Sequence, residues 1–113
     1  MFDLNELCKM AYENASKREA KDGKVSTNSL QMLKHTATEV IEATEAYSRV
    51  ISVNSVRDAS DALNQMRGDF ASELADIICC VLIIAGKENI DMEKALTECM
   101  EKNYLRAEGR GDK

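Results

Sequence analysis

Phe2, Leu4, Leu7, Cys8, Ala11, Tyr12 and Ala15 recur at three- and four-residue spacing, which predicts a first helix with one apolar stripe running to about Ala20. Asp3 or Asn5 is its candidate cap. From Lys17 to Lys24 the chain turns polar around Asp22-Gly23, and Ser26-Thr27-Asn28-Ser29 then offers several N-caps for a second helix reaching about Val53. Ser52 to Asp58 reads as a link, with Ser55-x-x-Asp58 as a capping box that opens a third helix ending at Gly86. Gly68 is a candidate kink or break in it. Asp91 caps a fourth helix, and Lys102 and Arg106 near its end suit the negative pole of the helix dipole. Gly109 to Lys113 reads as a basic, flexible tail.

Composition agrees with this reading. The chain has 113 residues, no proline and only five glycines, with 44% hydrophobic and 31% charged positions, and so favours long helices in one all-α domain spanning 1–113. The third helix is apolar nearly all the way round. One four-helix protomer would struggle to cover it, so the bundle is expected to be completed by oligomerisation, as a homodimer or homotetramer. The apolar run from Leu74 to Gly86 is interrupted by Asp76 and is shorter than the ~20 residues a bilayer demands, so it reads as a core helix with no membrane role.

Charge and cysteine usage narrow the function. The formal net charge is −5, which argues against broad contact with a nucleic-acid polymer. Cys8, Cys79, Cys80 and Cys99 form no C-x-x-C pair, and the adjacent two lie in the most apolar segment. They read as reduced, buried thiols of a cytoplasmic protein. The first residues lack the basic start and apolar core of a signal peptide.

The chemistry concentrates in two carboxylate pairs. Glu73 and Asp76 sit in a stretch from Phe70 to Ala85 whose only other polar side chain, cysteine thiols aside, is Ser72. An ionised carboxylate removed from water costs several kcal/mol unless a cation or donors compensate it. Glu39 and Glu42 form the second pair. At ~100° per residue Glu39 points with Met32 and Val50, Glu42 lies near Ala46, Glu73 aligns with Ile77, and Asp76 lies close to Cys80. Both pairs therefore face inward on this reading, and antiparallel packing of helices two and three would bring four carboxylates to one depth. Oxygen-only ligands favour Mg²⁺ or Mn²⁺. The plainer alternative for Glu39-x-x-Glu42 is a solvated acidic face. A di-iron bundle needs Glu-x-x-His motifs, and the one histidine, His35, follows no glutamate by three. His35 lies one turn before Glu39, within reach of a ligand carboxylate.

These residues resemble the MazG-like, all-α nucleoside triphosphate pyrophosphohydrolase superfamily, whose mark is E-x-x-E on one helix and E-x-x-D on the next. Here the motifs are Glu39-Val40-Ile41-Glu42 and Glu73-Leu74-Ala75-Asp76, with Met32-Leu33 before the first, Tyr47-Ser48-Arg49 after it, and Lys102-Asn103-x-x-Arg106 near the end. The resemblance implies Mg²⁺-dependent hydrolysis of a (d)NTP to a monophosphate and pyrophosphate, in nucleotide-pool sanitation. Glu39, Glu42, Glu73 and Asp76 would be the catalytic metal ligands. Lys102, Asn103 and Arg106 look like distal triphosphate contacts, although dipole complementation explains the two cations equally well. Asn14, Lys17 and Arg18 form a second polar cluster that similar proteins use at the nucleotide site.

Two departures stand out. Many relatives carry a third glutamate where this chain has Thr38, so a general-base role at that position does not transfer, and Glu39 or Glu45 is left to orient the water. The connection from Glu42 to Glu73 is also long for the superfamily, with an extra segment around Ser55 to Gly68 that could shape the base pocket, Met66 and Phe70 being candidates to line it. A deoxyuridine or phosphoribosyl nucleotide pyrophosphatase is the related alternative. The alternative of another class is a non-catalytic helical dimer that binds a nucleotide or a protein.

Overall fold

A computed structural model of the chain describes residues 3–54 and 60–110. Its elements are α1 (Leu4–Asp22), α2 (Ser29–Asn54), α3 (Ser60–Lys87) and α4 (Met92–Ala107), with no strand among the described residues. The all-helical expectation holds. No helix among the described residues is long and apolar enough to cross a membrane.

Local hydrogen bonds set most of the helix ends. Asp3 caps α1, its carboxylate accepting from the Glu6 N–H at 2.8 Å, while Asn5 lies inside the helix. Gly23 closes α1 in the left-handed region at φ 69°, which its missing Cβ permits, and its N–H donates to the Glu19 carbonyl. Asn28 Oδ1 accepts from the Gln31 N–H at 3.0 Å and caps α2. The Asp91 carboxylate accepts from the Lys94 N–H and opens α4. Gly68 does not divide α3 into two elements, since the helix continues through it to Lys87. The Ser55-x-x-Asp58 box and residues 111–113 of the tail lie outside the described residues.

Packing is in thin layers. Helices α2 and α3 run antiparallel, because Ser29 bonds Glu88 at one end, Glu39 and Glu42 meet Glu73 midway, and Tyr47 packs against Phe70 with ring centroids 5.1 Å apart. Helix α1 lies on the C-terminal part of α3. Gly86 makes that contact close: a Cβ there would fall 2.7 Å from Tyr12 Cβ and 2.9 Å from the Cys8 carbonyl carbon. Helix α4 packs on α1, where Asn5 donates to Asp91 and accepts from the Glu93 N–H at 3.1 Å.

The buried apolar residues are Cys8, Ala15, Met32, Ala43, Ala46, Val50, Cys80 and Ala85, mostly small, and α4 buries none. Two expectations are corrected here. Cys8 and Cys80 are buried and all four thiols are free, but Cys79 and Cys99 are exposed, because the apolar surface of α3 and α4 is only partly covered.

Candidate metal centre and adjoining cavity

The α2–α3 contact is built on the residues Met32, Thr36, Glu39, Ala43, Ala46 and Val50 of one helix and Met66, Phe70, Glu73, Ile77, Cys80 and Ile84 of the other. Each set steps by four and three, so it holds one face. Glu39 and Glu73 are the two carboxylates inside those sets. Glu39 is 9% exposed and Glu73 half-buried. One carboxylate oxygen from each of Glu39, Glu42 and Glu73 falls within 4.8 Å of the others.

Neither buried carboxylate is fully satisfied. Glu39 Oε1 accepts from His35 Nε2 at 3.0 Å, whereas Glu39 Oε2 and Glu73 Oε2 are buried with no hydrogen-bond partner. Burial, then the neighbouring Glu42 charge, pushes the Glu39 carboxyl above its ordinary value, with His35 opposing the shift. Burial and then Glu42 and Asp76 raise Glu73 as well, opposed by Arg49. A cluster of like charges with orphaned buried oxygens on two helices is a donor set suited to a hard divalent cation. The residues therefore fit Mg²⁺ or Mn²⁺.

The expectation that all four carboxylates face inward is corrected. Glu42 and Asp76 are exposed, because each lies roughly 80° round its helix from the centre of the packed stripe, at the edge and not inside it. Asp76 also stands outside the tight three-glutamate group. It lines, with Glu39, a cavity of about 500 Å³ that opens beside the cluster. That volume falls within the range of small-ligand sites.

The cavity shows which predicted substrate residues come near the carboxylates. Arg18 lines it, with Lys24, Ser26, His35 and Cys79. Asn14 and Lys17 are exposed on α1 and do not line it, and neither do Lys102, Asn103 and Arg106, which are exposed on α4. Met66 and Phe70 do not line it either; Phe70 packs against Tyr47. Lys24 and Cys79 were not read as site residues from the sequence. Lys24 belongs to the turn after α1, where no periodicity marks direction, although the Asp22-Gly23 signal locates the turn itself. A clamp fixes that loop: the Thr27 N–H and hydroxyl donate to the Glu19 carboxylate at 2.9 and 2.8 Å, and these bonds hold Glu19 below its ordinary carboxylate value.

In comparisons with known proteins, no family model matches the chain, and neither a curated protein nor a solved structure does.

Proposed function

We propose that the protein is a divalent-metal-dependent nucleoside triphosphate pyrophosphohydrolase that releases a monophosphate and pyrophosphate. The observation that carries this reading is the pair of buried, unpartnered carboxylate oxygens, on Glu39 and Glu73, beside a cavity that also presents Arg18 and Lys24. The likeness of the two motifs to the MazG-like superfamily supports it.

Glu39, Glu42 and Glu73 would hold the cation, and Asp76, which lines the cavity with Glu39, would add a carboxylate beside them. When bound, the cation neutralises phosphate oxygens, lowers the pKa of water and offsets charge on the leaving pyrophosphate. His35 fixes the orientation of Glu39 by donating to Oε1. Arg18 and Lys24 supply positive charge at the cavity wall for a polyphosphate. Since Thr38 has no carboxylate, Glu39 or Glu45 orients the attacking water, and no covalent nucleophile is required. The working unit is proposed to be a homodimer or homotetramer.

The test is a panel of standard and modified (d)NTPs, deoxyuridine nucleotides and phosphoribosyl nucleotides incubated with Mg²⁺, with release of pyrophosphate measured. Turnover of at least one member is expected, and Glu73→Gln and Asp76→Asn each lower it by about 10²-fold or more while far-ultraviolet circular dichroism is unchanged. Activity that survives both substitutions overturns the assignment. Nucleotide binding without Mg²⁺ dependence and without turnover identifies a binding module instead.

A further inference from the structure

Arg49 stands seven residues after Glu42 on α2, as His35 stands seven before it, and all three are exposed. Seven residues turn a helix by ~700°, close to two full turns, so the three form a single row, each about 10 Å from the next along the axis. The row borders the α2–α3 seam. Glu42 and Asp76 each lie about 80° from their packed stripes in the same rotational sense, and on antiparallel helices equal turns bring them to one side of the hairpin. Arg49 shares that side with them.

Its charge is felt at the carboxylate cluster, because it opposes the rise that burial, Glu42 and Asp76 impose on the Glu73 carboxyl. A helical side chain leans toward the N-terminus of its own helix, which carries the guanidinium back toward Glu42. The ordinary use of such an arginine is an ion pair. Glu45 precedes it by one turn, and Asp69, next to the Phe70 that packs on Tyr47, stands at about its height on α3. Among the described residues no ion pair joins Arg49 to either, and Asp69 accepts from Gln65 Nε2 at 3.4 Å instead.

The cavity occupies the other flank of the cluster. On α2 it is lined by Gln31, Met32, His35 and Glu39 and by nothing beyond Glu39. Its cations, Arg18 and Lys24, therefore stand before the cluster along α2, and Arg49 stands after it. A lone divalent cation needs positive charge on neither flank. A polyanion that crosses a bound cation meets it on both. The two flanks also differ in chemistry: Val25, Met32 and Ile83 give the cavity an apolar wall suited to a nucleoside, whereas Arg49 lies open to solvent.

We infer that Arg49 binds the terminal phosphates of the substrate, which lies along the α2–α3 seam with its nucleoside end in the cavity and its pyrophosphate end at Arg49. This rests on the hydrolase reading above and adds to it which end of the substrate goes where. Arg18 and Lys24 then meet the phosphate next to the nucleoside. A guanidinium offers parallel N–H donors that match phosphate oxygens, so Arg49 holds the pyrophosphate end both in the substrate and as the released product.

The test is titration calorimetry of the full chain saturated with Mg²⁺, with inorganic pyrophosphate and the common deoxynucleoside monophosphates as separate titrants. The wild-type protein binds pyrophosphate. Arg49→Ala weakens that binding by about 10-fold or more, as loss of a hydrogen bond to a charged group does, and Arg49→Lys recovers part of it. Monophosphate binding is unchanged in both variants and Mg²⁺ binding is retained, which a merely structural role for Arg49 would not give. Should Arg49→Ala lose its helical signal, Arg49→Gln takes its place. Pyrophosphate binding at wild-type strength in the variant, or an equal loss for pyrophosphate and monophosphate, overturns the inference. A wild-type chain that binds no Mg²⁺ overturns it together with the hydrolase reading. A chain that binds Mg²⁺ and pyrophosphate through Arg49 yet hydrolyses no nucleotide sinks the hydrolase reading alone, because the pyrophosphate titration judges Arg49 without turnover.

Discussion

Gly86→Ala and Gly68→Ala are the same substitution on the same helix, and they should move stability in opposite directions. At Gly86 an added methyl would stand 2.7 Å from Tyr12 Cβ and 2.9 Å from the Cys8 carbonyl carbon, where ordinary contact begins at 3.4 Å. The shortfall against Tyr12 is therefore 0.7 Å, and the obstacle includes α1 backbone, which has no rotamer to change. Relief requires α1 to move off α3. Overpacking of this kind costs about 1–3 kcal/mol, at the upper end where backbone must shift. At roughly 4 °C per kcal/mol for a domain of this size, Tm falls by about 4–12 °C. Gly68 has nothing within 4 Å of the same added carbon and lies inside a continuous helix, so alanine there stabilises by about 0.5–1 kcal/mol through backbone entropy. Differential scanning calorimetry of the two variants beside the wild type measures both signs. An unchanged or raised Tm for Gly86→Ala would refute the close α1–α3 contact, and with it the way Arg18 is brought to the cavity.

Other outcomes follow from the same groups. The raised carboxyls of Glu39 and Glu73 hold protons more tightly in the folded state, so metal-free stability falls as pH rises through their raised values; saturating Mg²⁺ should flatten that slope in calorimetry, and an unaltered slope counts against cation binding at the cluster. Glu19, and Asp91, whose pKa is lowered by its bonds to the Asn5 side chain and the Lys94 N–H, act in the opposite sense. Their stabilisation is present above the unfolded values and is lost as pH falls through the depressed ones, and Thr27→Val should lower Tm and shrink the loss assigned to Glu19. Replacing Glu39 by Leu should raise the Tm of the metal-free protein and abolish Mg²⁺ binding in titration calorimetry, since removal of an uncompensated buried carboxylate relieves its desolvation. Among the four thiols, Cys79 and Cys99 should react first with maleimide by mass spectrometry, and polyphosphate with Mg²⁺ should slow Cys79 alone.

What the sequence disclosed is what short-range bonding decides. Asp3, Gly23 and Asp91 end or begin helices through contacts within four residues; Asp3 and Asp91 are readable as caps, and Gly23 as part of the turn after α1. Periodicity also identified Glu39 and Glu73 as members of a packed face. It overreached at Glu42 and Asp76, because a direction near a stripe does not say where the partner helix stops covering it. The cysteines failed for the same reason: Cys80 lies in the α3 stripe and Cys79 one position outside it, so adjacent thiols differ completely in burial. Lys102, Asn103 and Arg106 could not be positioned from local pattern, since the placement of α4 depends on its packing against α1 and on the Asn5–Asp91 bond. Lys24 was invisible because loops carry no repeat.

Beside its packed stripe α2 carries an exposed one, Leu30, Leu33, Ala37, Val40, Thr44, Tyr47 and Ile51, and the difference in chemistry is informative. The exposed stripe contains no ionisable carboxylate or ammonium across Leu30 to Ile51, whereas the packed stripe interrupts its apolar run at Glu39, where α3 interrupts its own at Glu73. A sequence under pressure only to pack would place leucine at both sites, since two raised carboxyls with orphaned oxygens weaken the contact they occupy. The polar pair is matched in height across the helices and beside the cavity, so its cost falls at the one level where a ligand can reach it. The core is made mainly of alanines and cysteines, so the hairpin's own interior buries few large side chains. A carboxylate cluster beside a cavity on one side and exposed apolar residues on the other are therefore two consequences of a single thin layer of helices.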